Sequence, residues 1–196
     1  MRFPGRATPV DWLVVGLGNP GTRYARTPHN VGFLVAERLI GRWDLGKPRK
    51  TFAGLYADGR IGAGATHPAP RVGVLLPQTF MNDVGRSAGP ARGALKVDLD
   101  HVIAVHDELD LRFGDLRPRL GGGLAGHNGL KSLKAAFGSP DFARVRIGIG
   151  RPDTTDPEVV SAYVLGKWRQ SDAEVADLVD RAADAVQDIV EGRTQL

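Results

Sequence analysis

Cysteine is absent from the 196 residues, which excludes disulfides, thiolate metal sites and cysteine nucleophiles. No apolar run exceeds a few residues, far short of the ~20 that a membrane-spanning helix needs. No secretory leader is expected, because Arg2 and Arg6 are followed by Thr8 and Pro9, not by an apolar stretch. Internal repeats, low-complexity tracts and long linkers are lacking as well, so one domain and a cytoplasmic location are expected. What remains is ordinary. Hydrophobic residues make up 42% and charged residues 24%, the usual balance of a folded domain, which excludes disordered and collagen-like chains. The length suffices to bury a substantial core.

Lys and Arg number 26 against 22 Asp and Glu, a net charge of +4. That small excess leans towards a polyanionic partner. Its distribution says more: Asp172, Glu174, Asp177, Asp180, Asp184, Asp188 and Glu191 crowd the carboxyl-terminal stretch, leaving the rest more basic than the total suggests. Most of the basic residues are Arg, whose planar fork suits phosphate better than the ammonium of Lys.

Short Val- and Leu-rich segments over residues 12–17, 71–76, 102–106 and 144–149 predict buried strands. Strand-like pieces around Phe52 to Ala57, within the Gly- and Pro-rich stretch 46–70, predict a sheet edge. Helical spacing appears at residues 33–40, 129–137, 157–165 and 171–191. In the last, Val175, Leu178, Val179, Ala182, Val186, Ile189 and Val190 share one face. Strands alternating with helices predict a single α/β domain, a three-layer α/β/α sandwich with helices on both faces of a central sheet.

Gly16-Leu17-Gly18-Asn19-Pro20-Gly21 matches the dinucleotide-binding fingerprint after a strand. That fold needs a helix opening at the glycines and an acidic residue ~20 positions on, and neither is found. The loop instead offers Asn19, His29 and Asn30 at the end of a strand, where open α/β sheets place their sites. His106-Asp107-Glu108-Leu109-Asp110 ends another strand, and a carboxylate there can orient a histidine as a base. As a metal pair, His106-Asp107 lacks a second ligand cluster of recognised spacing. Asn82 follows a third strand. Asn128 follows a glycine-rich loop with no Gly-Lys-Ser or Gly-Lys-Thr, and stands where a helix N-cap is expected. A His–Asp pair among several amides suits water activation beside a peptide backbone and a developing oxyanion.

These segments resemble the bacterial-type peptidyl-tRNA hydrolases. The resemblance is carried by Val14 to Gly21 with Tyr24, Thr27 to Phe33, Pro77 to Asn82, His106 to Leu111, Gly126 to Ser132 and Arg144 to Pro152, with a weaker match at Tyr163-Val164-Leu165. It implies a twisted mixed sheet and hydrolysis of the ester joining a peptide to the 3′ end of tRNA. His29 would be the general base, Asp107 would hold and polarise it, and Asn19 would sit by the scissile ester. Asn82 and Asn128 would hold substrate, with Tyr24 and Phe80 lining the place where peptide and terminal nucleotide meet. The resemblance implies no metal or organic cofactor, a monomer, and no obligate protein partner. Arg117, Arg119, Lys131, Lys134, Arg144 and Arg146 offer a surface for acceptor-stem phosphates, Arg144 and Arg146 pointing to one face of a strand. Three departures stand out. Pro28 replaces a residue usually basic in the family, Leu124-Ala125 replaces small or polar residues, and residues 1–11 extend beyond the usual start, where disorder is expected.

Overall fold

The computed structural model describes residues 7–62 and 69–196. Its centre is a parallel block. Strand β1 (Trp12–Gly16) lies between β4 (Arg71–Pro77) and β5 (Val102–Glu108), and β7 (Ala143–Gly148) extends the block beyond β5. Antiparallel strands close both sides: β3 (Gly54–Arg60) on β4, β2 (Arg49–Thr51) on β3, and β6 (Leu116–Leu120) on β7. The sheet order is therefore β2-β3-β4-β1-β5-β7-β6, a mixed sheet.

Alternation along the strands builds two cores. Val14, Val74, Ile103, Val105, Val145 and Ile147 face one side, under α1 (Val31–Arg42) and α5 (Asp172–Val190). Leu13, Val15, Leu75, Val102 and Ala104 face the other, under α2 (Gly85–Leu95) and α3 (Asn128–Phe137). The result is the expected three-layer sandwich. A further helix, α4 (Pro157–Leu165), stands beyond the ends of the parallel strands. Ser171 and Glu174 form a reciprocal capping box that starts α5. Arg38 and Arg42 of α1 reach across to Asp180 and Asp184 on α5.

Gly16 and Gly32 set the depth of α1. A Cβ on Gly32 would lie 2.6 Å from Leu17 O and closer still to Val105 O, so side chains are excluded where the helix meets the sheet.

Two elements depart from expectation. Helix α2 contains Gly85, Gly89, Pro90 and Gly93, a poor helical composition. It forms because Gly85 lets α2 approach α3, where a Cβ would stand 2.8 Å from the Ala136 Cβ. Strand β6 is only Leu-Arg-Pro-Arg-Leu, and its position at the sheet edge tolerates the missing N–H of Pro118. Nor does disorder extend through residue 11. Val10 is buried and donates its N–H to Leu95 O at 3.2 Å, while Asp11 accepts the Arg71 N–H at 2.6 Å. Residues 1–6 lie outside the described residues.

Candidate active site

Because β1, β4 and β5 run parallel, their carboxyl ends open on one rim of the sheet, and the loops that follow them meet there. Of the fingerprint-like run, Gly16 and Gly18 serve packing, while Gly21 takes a left-handed turn (φ +97°) in open space. A Cβ on Gly18 would meet the Phe33 ring at 2.7 Å, and the next α-helix begins only at Val31. Buried Asn30 grips the backbone of Asn19 at both ends. Its Oδ1 accepts the Asn19 N–H and its Nδ2 donates to Asn19 O, each at 2.9 Å. The Asn19 side chain then accepts the Met81 N–H through Oδ1 at 2.8 Å. That contact fixes the amide orientation and leaves the Nδ2 hydrogens for the cavity, which Asn19 lines.

His29 lies in a 3-10 turn, Pro28–Asn30, opened by a buried Pro28. Its Nδ1–H donates to Asp107 Oδ1 at 2.9 Å, so Nε2 carries the free lone pair and faces the cavity. Asp107, at the end of β5, is 3% exposed and receives a second donor on the same oxygen, the Nε2–H of His127 at 3.0 Å. The His127 tautomer is set by its other nitrogen. Nδ1 accepts the backbone N–H groups of Gly129 and Leu130 at 3.1 and 3.4 Å and so cannot carry the proton. The N-cap of α3 is therefore His127, and Asn128 is the first helical residue, contrary to the sequence expectation. The cap exposes the Asn128 side chain at the cavity rim.

Burial works against a charged His29 ring, but the charge and hydrogen bond of Asp107 more than offset it and raise the His29 pKa above its ordinary value. Burial likewise opposes ionisation of Asp107, and the two imidazoles outweigh it, holding the carboxyl well below the usual carboxylate range. His106, fully buried, donates Nδ1–H to Asp107 O at 2.7 Å. Burial first, then the neighbouring His127, lowers its pKa to about 3. It stays neutral and steadies the backbone that carries the carboxylate. The ligand-type atoms of His29, Asp107 and His127 lie within 4.8 Å of one another, and N–H···O bonds account for that spacing.

The cavity holds about 680 Å³. Tyr24 and Phe80 meet edge to face, with ring centroids 6.4 Å apart, and Phe80 remains 58% exposed. Asn82 stands beside them at the rim, and α4 supplies the apolar wall through Val160, Val164 and Leu165. Ala125, in the glycine-rich loop, holds a left-handed backbone (φ +46°) without being glycine, a conformation that disfavours side chains.

The basic surface divides. Arg117 and Arg119 are exposed on β6. Arg146 pairs through Nε with the buried Glu108 at 3.0 Å and is partly exposed. Arg144 is 1% exposed and donates to Gly122 O, Gly123 O and Pro140 O. It braces the glycine-rich loop and leaves the expected phosphate-binding group. One pattern escaped the sequence reading: Gly85-Arg86-Ser87-Ala88-Gly89 spells the serine-hydrolase elbow. It lies inside α2, with Ser87 buried against β3, away from the cavity lining.

The family model described as peptidyl-tRNA hydrolase matches residues 13–196. The chain belongs to the peptidyl-tRNA hydrolase family. It is 46% identical to the peptidyl-tRNA hydrolase of Anaeromyxobacter dehalogenans (strain 2CP-C), covering 91% of this chain and 90% of that protein. It is 45% identical to that of Mycobacterium sp. (strain KMS), over 89% and 88%. The crystal structure of the peptidyl-tRNA hydrolase from Acinetobacter baumannii superposes with a TM-score of 0.80, at 36% identity, over 96% of this chain and 93% of that one. The matched span contains every element around the cavity, from β1 to α4. Among the described residues, no helix is long and apolar enough to cross a membrane.

Proposed function

We propose that this hydrolase-family chain cleaves the ester between a peptide, or an N-blocked amino acid, and the 3′ end of tRNA, with His29 as the general base. The observation that carries the reading is the direction of the His29 ring: Asp107 takes Nδ1–H, and Nε2 faces a cavity rimmed by amides. Nε2 removes a proton from water as the water oxygen attacks the ester carbonyl carbon. The oxyanion that forms is met by neutral N–H donors, the Nδ2 of Asn19 serving as one, a role supported by the engagement of its Oδ1 with Met81 N–H. Collapse expels the ribose 3′-oxygen, which takes the proton back from His29. Asn19 also senses whether the substrate's amino group is blocked. Asn82 and Asn128 hold the substrate backbone, while Tyr24 and Phe80 flank the junction of peptide and terminal nucleotide. Arg117, Arg119 and Arg146 meet acceptor-stem phosphates, a contact whose strength falls with added salt. The chain works as a monomer in the cytoplasm.

The test is release of free tRNA from N-acetyl-aminoacyl-tRNA, with the unblocked aminoacyl-tRNA alongside. Release from the blocked substrate, with at least tenfold slower release from the free-amine substrate, is the expected result. Equal rates on both, or binding without release, would overturn the reading.

The pH profile probes the His–Asp pair. The base works only when unprotonated, so kcat/KM rises with pH through the raised His29 pKa, inflecting above the ordinary histidine value. Asp107→Asn removes the charge that raises it. The inflection is expected to move to lower pH while the plateau falls about a hundredfold, because the ring loses orientation and its cation loses a counter-charge. An unmoved inflection would take Asp107 out of the mechanism.

A further inference from the structure

Among the described residues, Arg151 is the single Lys or Arg that lines the cavity, and nothing in the reaction above employs it. Its place is fixed by the backbone. Gly150 N–H donates to Leu111 O at 2.9 Å, and the Tyr163 hydroxyl donates to Ile149 O at 2.6 Å, so the chain leaving β7 is pinned on both sides just before Arg151. The guanidinium itself is loosely engaged. Nε and Nη2 both donate to one oxygen, Asp110 Oδ1, at 3.1 and 2.6 Å. The two-oxygen pairing that a carboxylate offers a guanidinium is not formed. The pair is exposed, with side chains 37% and 52% accessible, and exposed pairs of this kind hold weakly. The two buried carboxylates of the cavity are already committed, Asp107 to His29 and His127 and Glu108 to Arg146.

A cation standing in a cavity of amides and apolar side chains selects an anion. On an acylated tRNA end, the ester, the peptide groups and the terminal nucleoside are neutral. The fixed charge nearest the ester is the phosphodiester on the 5′ side of that terminal nucleoside, carried by the same ribose. We propose that Arg151 is a positioning residue that holds this phosphodiester, exchanging the Asp110 carboxylate for two phosphate oxygens. The contact differs from those of Arg117, Arg119 and Arg146, which lie on β6 and β7 rather than in the cavity wall. It sets the distance between phosphate and ester, so the scissile carbonyl arrives in register with His29 Nε2. Asp110 competes with the substrate and is displaced on binding. The inference rests on the tRNA ester being the substrate.

The experiment compares N-acetyl-aminoacyl-tRNA carrying an ordinary terminal linkage with one in which that single phosphodiester is an uncharged methylphosphonate. Wild type is expected to lose about tenfold in kcat/KM on the methylphosphonate, the effect of removing one charged hydrogen-bond acceptor. Arg151→Gln is expected to lose about tenfold on the ordinary substrate and to cease discriminating between the two. Arg151→Lys should retain part of the discrimination, and Asp110→Asn should lower KM on the ordinary substrate by freeing the guanidinium. Unchanged discrimination in Arg151→Gln would overturn the proposal, since the phosphate would then be read by another group. So would a wild type indifferent to the methylphosphonate. A fall in Arg151→Gln that is equal on both substrates, with discrimination intact, would assign Arg151 to the peptide instead. If wild type releases no tRNA from the ordinary substrate, the failure belongs to the proposed reaction and not to Arg151.

Discussion

Replacing His29 with alanine is expected to reduce tRNA release from a blocked aminoacyl-tRNA about a thousandfold, the middle of the range for a positioned general base. The ring supplies the lone pair facing the cavity, and among the described residues that line the cavity no second histidine can take over. His127 has both nitrogens engaged, one by Asp107 and the other by the start of α3, and His106 is sealed in the core. Stability should change little, by about 1 kcal/mol, because Asp107 keeps the His127 donor. Single-turnover release at enzyme excess, with tRNA affinity measured in parallel, separates chemistry from binding. Activity within tenfold of wild type would remove His29 from the role of base.

The largest expected effect on folding comes from a residue with no chemistry. Gly32→Ala should cost more than ~3 kcal/mol and leave little folded protein at physiological temperature. The added methyl would press on Leu17 N, Leu17 O and Val105 O, all backbone atoms of the β1–β5 junction. Backbone cannot swing aside as a side chain does, so either α1 lifts from the sheet or the strands separate. Both movements displace His29 and Asp107. Gly41→Ala, on the same helix, has open space around its Cβ and should instead stabilise by ~0.5–1 kcal/mol through helix propensity. Urea midpoints of the two variants, at unchanged slope, measure the contrast. Similar midpoints would mean that the close approach of α1 is not required.

The pairing of His29 with Asp107 was legible only through company: a loop histidine by itself is most often idle, and it was the carboxylate closing β5, with the family resemblance, that gave His29 a partner. His127 was not legible, although it stands in a matched segment. Asn is the commoner helix cap, so Asn128 drew the assignment, and an imidazole that caps with one nitrogen leaves no spacing signature. Helix α2 was hidden by Gly and Pro, since its stability comes from contact with α3 and not from its own composition. Arg144 and Arg146 illustrate the limit of strand periodicity. The pattern shows that they share a face, while the glycine-rich loop, distant in sequence, covers one and leaves the other beside Glu108.

The imidazole of His127 is a rigid plate with an acceptor at one end and a donor at the other. One end is fastened to the first turn of α3 and the other to the carboxylate on β5. Helix and strand are thereby held at a set separation, and a displacement of α3 is passed to the Asp107 oxygen that steers the base. Amide hydrogens in the first turn of a helix ordinarily exchange freely with solvent. Here the exchange of Gly129 and Leu130 would become a gauge of catalytic alignment, readable without substrate.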